Sequence, residues 1–164
     1  MNDKKTKNLI YTALFAALIC AATFTIKIPS VVTNGYIHLG DGFIFIAVIL
    51  LGKKNGALSG AIGASLADMI GGYSHYILPT FVIKLIMGYI TGLIIEKLSS
   101  KKSSRLIGTA VGSLWQIFAY YVVGSFFIGS FAAALADIPG NFMQSLAGII
   151  ISMLLSDQLK KLLK

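Results

Sequence analysis

The sequence predicts an all-α protein, a single integral-membrane bundle of six transmembrane helices filling residues 1–164 with both termini in the cytoplasm. Three observations predict it. Of the 164 residues, 56% are hydrophobic and only 12% are charged, where a soluble domain usually carries about 25% charged residues. A spanning helix needs roughly 20 apolar residues, so the long charge-free runs leave room for about six spans and none for a soluble domain. The basic residues, finally, collect at every second junction between those runs.

The first segment, 8–26, follows the basic start "MNDKKTKN". Its apolar run outlasts the core of a signal peptide, which predicts a retained helix. Segments 38–52 and 55–72 follow, separated by Lys53 and Lys54; the first is short for a span. Segment 79–96 opens at Pro79 and ends at Lys97. The last two are 105–126 and 138–159, and the stretch 125–137, "SFFIGSFAAALAD", fits either helix or outer loop. Cys20 is the only cysteine, so a disulfide framework is excluded and a buried apolar role expected.

The lysines and arginines set the orientation. Lys4, Lys5, Lys7, Lys53, Lys54, Lys97, Lys101, Lys102, Arg105, Lys160, Lys161 and Lys164 fall at one set of helix ends, and of the 14 basic residues only Lys27 and Lys84 do not. The positive-inside rule then places those ends in the cytoplasm. The formal charge of +8 is thus a topology signal, with attraction to anionic inner-leaflet lipids as a consequence, and nucleic acid is excluded as a partner.

Small residues mark packing faces. Ala13, Ala17 and Ala21 share one face of the first helix, and the pairs Gly56/Gly60 and Gly88/Gly92 repeat the same spacing. In lipid no hydrophobic force drives helices together, so close backbone approach at small residues does. The glycines fit packing inside the bundle; the alanine stripe fits either that or contact with another protein.

The remaining polar groups gather near one outer layer. Tyr36, His38 and Asp41 lead into the second segment, Asp68 closes the third, and Lys84 follows Pro79. A charge inside a bilayer is costly, so these groups should pair, face the bundle interior or line a wet cavity. Asp68 and Lys84 are predicted to pair with each other, to line a ligand pocket, or both. Gly112, Gln116, Tyr120 and Gly124 share a helix face beside Trp115, and Asp137, Asn141, Gln144, Gly148 and Ser152 form a stripe on the last helix. Amides offer donor and acceptor together, and aromatic rings offer a stacking face, which together suit a heteroaromatic ligand. The bland alternatives are an interfacial aromatic belt and interhelical hydrogen bonds. No catalytic residue, metal cluster, nucleophile motif or phosphate loop is legible, which argues against an enzyme.

A chain of this length, with an Ala-x-x-x-Ala face on helix one, resembles the S components of energy-coupling factor (ECF) transporters. "YIHLGDGFIFIAVILLGKKNGALSGAIGASLADMIGGY" and "LPTFVIKLIMGYITG" are similar to the riboflavin-type or hydroxymethylpyrimidine-type branch, and the resemblance covers nearly the whole chain. It implies a vitamin-capture subunit of the bacterial plasma membrane that works with a membrane coupling subunit and two ATPases. ATP and Mg would be bound by those ATPases, leaving no cofactor in this chain. The resemblance further implies docking through Ala13, Ala17 and Ala21. Its pocket would draw on Tyr36, His38, Lys84, Trp115, Gln116, Tyr120, Asn141 and Gln144, with Asp41 and Asp68 added by their depth. The expected substrate is a small heteroaromatic B-vitamin or precursor, hydroxymethylpyrimidine or pyridoxine-like first and riboflavin second. The competing expectation is a proton-coupled carrier working alone through Asp68 and Lys84.

Overall fold

A computed structural model of the chain describes residues 3–29, 36–101 and 103–162. Lys102, Lys164 and residues 30–35 lie outside the described residues. The order is α1 (Asp3–Thr25), a two-stranded antiparallel ribbon of β1 (Lys27–Pro29) and β2 (Tyr36–His38), α2 (Gly40–Gly71), a 3-10 turn at Ser74–Tyr76, α3 (Ile77–Lys97), α4 (Ser104–Ile128), the short α5 (Phe131–Ala134), a second 3-10 turn at Leu135–Asp137, and α6 (Ile138–Leu162). In the ribbon Lys27 faces His38 and Pro29 faces Tyr36.

Among the described residues five helices are long and apolar enough to cross a membrane, where six separate spans were expected. The difference lies in α2, a 32-residue helix that takes in both expected segments 38–52 and 55–72 and is broken at Gly52. There φ is 79° and ψ is 175°, a conformation essentially reserved for glycine. A side chain at Gly56 would come 2.4 Å from Val48 Cα, and one at Gly60 would come 2.7 Å from Ile44 Cγ2. Residues eight apart in an unbroken helix are separated by about 12 Å, so α2 is folded back on itself. Its arms, 40–51 and 53–71, lie antiparallel with Gly52 at the bend. The shorter arm rises only about 18 Å, well below the thickness of a bilayer core of about 30 Å. Pro79 lies within the first turn of α3, where its missing N–H costs no helical hydrogen bond. The ambiguous stretch 125–137 resolves into the end of α4, which stops at a left-handed Gly129, and the short α5.

The faces are sorted as lipid demands. On α4 the buried side is small or polar (Gly108, Thr109, Gly112, Ser113, Gln116), while Leu106, Leu114 and Phe118 point outward, more than half exposed. On α1 the buried face is Thr12, Phe15, Ala16, Ile19 and Thr23. It lies on the longer arm of α2, where Gly63 lets the Ala16 carbonyl approach and the Ser59 hydroxyl donates to the Thr12 carbonyl at 3.0 Å. Phe15, Ile19, Ile44, Phe45, Ile46, Ala47, Ala64 and Met87 form the apolar core.

Two ion pairs mark one end of the bundle, Lys53 with Glu96 at 2.5 Å and Arg105 with Asp157 at 2.6 Å. They gather the α2 bend, the end of α3, the start of α4 and the end of α6, where the lysines cluster. The ribbon, the 3-10 turns and the acidic ends of α2 lie at the other end.

Candidate functional site

At that second end the helices bring together four side chains from distant parts of the sequence. Asp41, in the first turn of α2, is fully buried, and so is Lys84 of α3; Lys84 Nζ stands 2.5 Å from Asp41 Oδ1. Asp41 Oδ2 accepts from Gln116 Nε2 of α4 and from Gln144 Nε2 of α6, each at 2.7 Å. Lys84 also donates to Gln116 Oε1, and its ammonium lies 5.2 Å from the centre of the Tyr120 ring. Gln116 donates again to Ser145 Oγ at 3.0 Å. Gly148 brings α6 close enough for this, since a side chain there would come 3.1 Å from Asp41 Cβ.

The network continues into the ribbon. The His38 backbone N–H donates to Gln144 Oε1 at 2.8 Å, and His38 Nδ1 accepts from the Gly40 N–H at 3.0 Å. Burial pushes the His38 imidazole down to about 4, so near neutral pH it is uncharged, with Nδ1 free to accept. One carboxylate thereby ties the ribbon, α2, α3, α4 and α6 together. Each buried polar atom of the carboxylate, the ammonium and the two amides has a partner, the condition under which a buried ion pair is tolerated.

Asp68 stands apart from this hub. The expected pairing of Asp68 with Lys84 is not formed, because the lysine reaches Asp41 and Gln116 instead. A four-carbon side chain springing from two turns inside α3 can bridge to the start of α2, where two amides already converge. Asp68 Oδ1 accepts from the Tyr36 hydroxyl at 2.6 Å, while Oδ2 is buried with no partner of good hydrogen-bond geometry among the described residues. The Thr80 hydroxyl is close to the carboxylate and accepts from the Tyr120 hydroxyl at 3.1 Å.

Aromatic rings cluster on from Tyr36 and Tyr120, the two tyrosines nearest this second carboxylate. Tyr36 packs on Tyr73 with centroids 4.5 Å apart, and Tyr76 lies 6.4 Å from Tyr120 and 5.0 Å from Phe127. The Lys27 ammonium sits over Phe24, Tyr36 and Tyr73 at 4.7 to 5.7 Å from the ring centres.

Of the ten predicted binding residues, Tyr36, His38, Asp41, Asp68, Lys84, Gln116, Tyr120 and Gln144 fall in these two adjoining clusters. Trp115 and Asn141 do not: the Trp115 indole N–H donates to the Ile83 carbonyl at 3.1 Å, and the Asn141 amide to the Asp137 carbonyl of its own helix at 3.1 Å. Sequence reasoning missed Phe127, Ser145 and the Lys27 ring nest. Ser145 carried a usable signal, since it lies four residues after Asn141 and next to Gln144; Phe127 carried none. Ala13, Ala17 and Ala21 are all exposed, on the side of α1 turned away from the core.

A family model described as "ECF-type riboflavin transporter, S component" matches residues 3–161. An uncharacterised protein of Pyrococcus woesei is 32% identical over 143 residues, 87% of this chain and 95% of that protein. The thiamine precursor transporter HmpT of Lactococcus lactis subsp. cremoris is 29% identical over 163 residues, 98% of this chain and 92% of that one. Among solved structures, the S-component for biotin from an ECF-type ABC transporter superposes with a TM-score of 0.66 at 24% identity, covering 94% of this chain and 93% of its own, a likeness of fold.

Proposed function

This chain belongs to the family of ECF-type riboflavin transporter S components, and from that premise we propose that it captures a small heteroaromatic B-vitamin or precursor. A single-ring ligand of the hydroxymethylpyrimidine or pyridoxine kind comes first and riboflavin second. It is a transport subunit, not an enzyme. The observation that carries the reading is Asp68, a carboxylate buried at the end of the bundle opposite the lysine clusters, bonded to Tyr36 and close to Tyr120. The near full-length likeness to a thiamine precursor transporter supports a pyrimidine over a flavin.

Tyr36, Asp68 and Tyr120 contact the ligand in this reading. His38, Asp41, Lys84, Gln116 and Gln144 hold the helices that carry them, while Trp115 and Asn141 flank the site. The chain lies in the plasma membrane of a bacterium with the lysine-rich ends inside. It hands its cargo to a membrane coupling subunit driven by two ATPases, which bind the ATP and Mg. The exposed Ala13, Ala17 and Ala21 stripe is the docking face.

The test is titration of the purified, detergent-solubilised chain with hydroxymethylpyrimidine, pyridoxine and riboflavin by calorimetry. Saturable one-to-one binding of a single-ring compound, tighter than riboflavin, is expected. Absence of binding to all three would reject the reading.

A further inference from the structure

Counting charges at the ligand end isolates Asp68. Two buried carboxylates, Asp41 and Asp68, share the layer with Lys84, and Lys84 is committed to Asp41 at 2.5 Å. The other groups facing Asp68 are the Tyr36, Thr80 and Tyr120 hydroxyls and His75; Lys27 lies beyond Tyr36, on its ring face. Tyr36 donates to Oδ1, Tyr120 donates to Thr80, whose own hydroxyl lies close to the carboxylate, and Oδ2 has no partner of good hydrogen-bond geometry among the described residues. Only 2% of the residue is exposed, so water does not satisfy that oxygen from the surface. Buried acceptors are nearly always satisfied, so a carboxylate oxygen left over calls for a donor. A carboxylate is acceptor-only, and the tyrosine faces around it favour a positively polarised ring edge.

We infer that Asp68 selects a ligand ring presenting adjacent N–H donors, an aminopyrimidine-type edge with an exocyclic amine beside a ring nitrogen able to carry a proton. The inference rests on the capture function proposed above and sharpens it. A pyrimidinedione edge, such as that of a flavin, alternates carbonyl acceptors about a single N–H and would set an oxygen against the carboxylate. Leaving buried polar groups unmatched in this way gives large discrimination, on the order of 10⁴-fold in a dry site.

The experiment compares wild type with Asp68→Asn against three probes: 4-amino-5-hydroxymethyl-2-methylpyrimidine, its 4-oxo analogue, and riboflavin. Wild type is expected to bind the amino compound at least 100-fold more tightly than the oxo compound. Asp68→Asn, which offers one acceptor and one donor, should narrow or invert that ratio, because a lactam edge then matches it. An ultraviolet difference spectrum of the bound amino compound should show the protonated ring, a signature that needs no variant to fold. Equal binding of amino and oxo rings by wild type, or loss of both in equal proportion in Asp68→Asn with the neutral-ring spectrum retained, would overturn the role of Asp68 while leaving capture intact. No binding of any probe would instead reject the capture function.

Discussion

Lys84 and Asp41 lie 43 positions apart in the sequence, yet form an ion pair of 2.5 Å with both side chains fully buried. The pair sits at the meeting point of four helices and the ribbon, and two glutamines complete the coordination of its carboxylate. Its geometry makes it a fastening for the frame of the site, while Asp68 bonds to Tyr36 outside that hub.

Breaking that fastening on one side should be severe. Lys84→Ala leaves the Asp41 charge buried, for which the expected cost is about 3–5 kcal/mol. Lys84→Met combined with Asp41→Asn should recover part of the loss, because no uncompensated charge remains. Thermal unfolding in detergent reads both, and a double variant worse than the sum of the singles would contradict the pairing.

Gln144 joins the fastening to the ribbon. Gln144→Leu removes the acceptor of the His38 N–H and one donor to Asp41, at about 1–3 kcal/mol for each buried group left unsatisfied. Hydrogen exchange at the His38 amide should speed up by more than tenfold while amides within α3 keep their protection.

The His38 imidazole supplies a pH dependence with a definite sign. It is held down to about 4 by burial, against about 6.5 in the unfolded chain. Between those values the unfolded state binds more protons, so stability is intact above pH 6.5 and declines as pH falls toward 4, by up to about 3 kcal/mol. His38→Gln should flatten this part of the melting-temperature profile; an unchanged slope would show the imidazole is not buried neutral.

The bend of α2 depends on absent side chains. Gly56→Leu would drive a branched side chain into the Val48 backbone, and overpacking of this kind costs about 1–3 kcal/mol or more. Gly52→Ala should also destabilise, because its φ of 79° is strained for alanine. Leu substitutions at exposed Ala13 and Ala17 should behave oppositely, leaving melting temperature and ligand affinity unchanged while weakening capture of the coupling subunit at least tenfold in a pull-down.

Much of this was legible in the sequence because lipid imposes coarse rules. Long apolar runs, the one-sided lysines and the depth of Asp41, Asp68 and Lys84 followed from the cost of charge in a bilayer. The partner of Lys84 did not follow. Depth along a helix can be read from spacing, but which helix start lies opposite depends on how α2 folds back at Gly52, a tertiary fact. Trp115 and Asn141 hydrogen-bond to backbone carbonyls, an orientation that no periodicity predicts. Gly52 itself sat in the "LLGKKNG" junction, where turn chemistry was visible but the length of the first arm was ambiguous.

Uptake of radiolabelled hydroxymethylpyrimidine into proteoliposomes tests the central claim most directly, with the chain reconstituted alone and with an ECF coupling subunit and its two ATPases. The capture account predicts binding by the chain alone, with ATP-dependent accumulation only when the coupling subunits are present. Accumulation by the chain alone, driven by a pH gradient and indifferent to ATP, would contradict it.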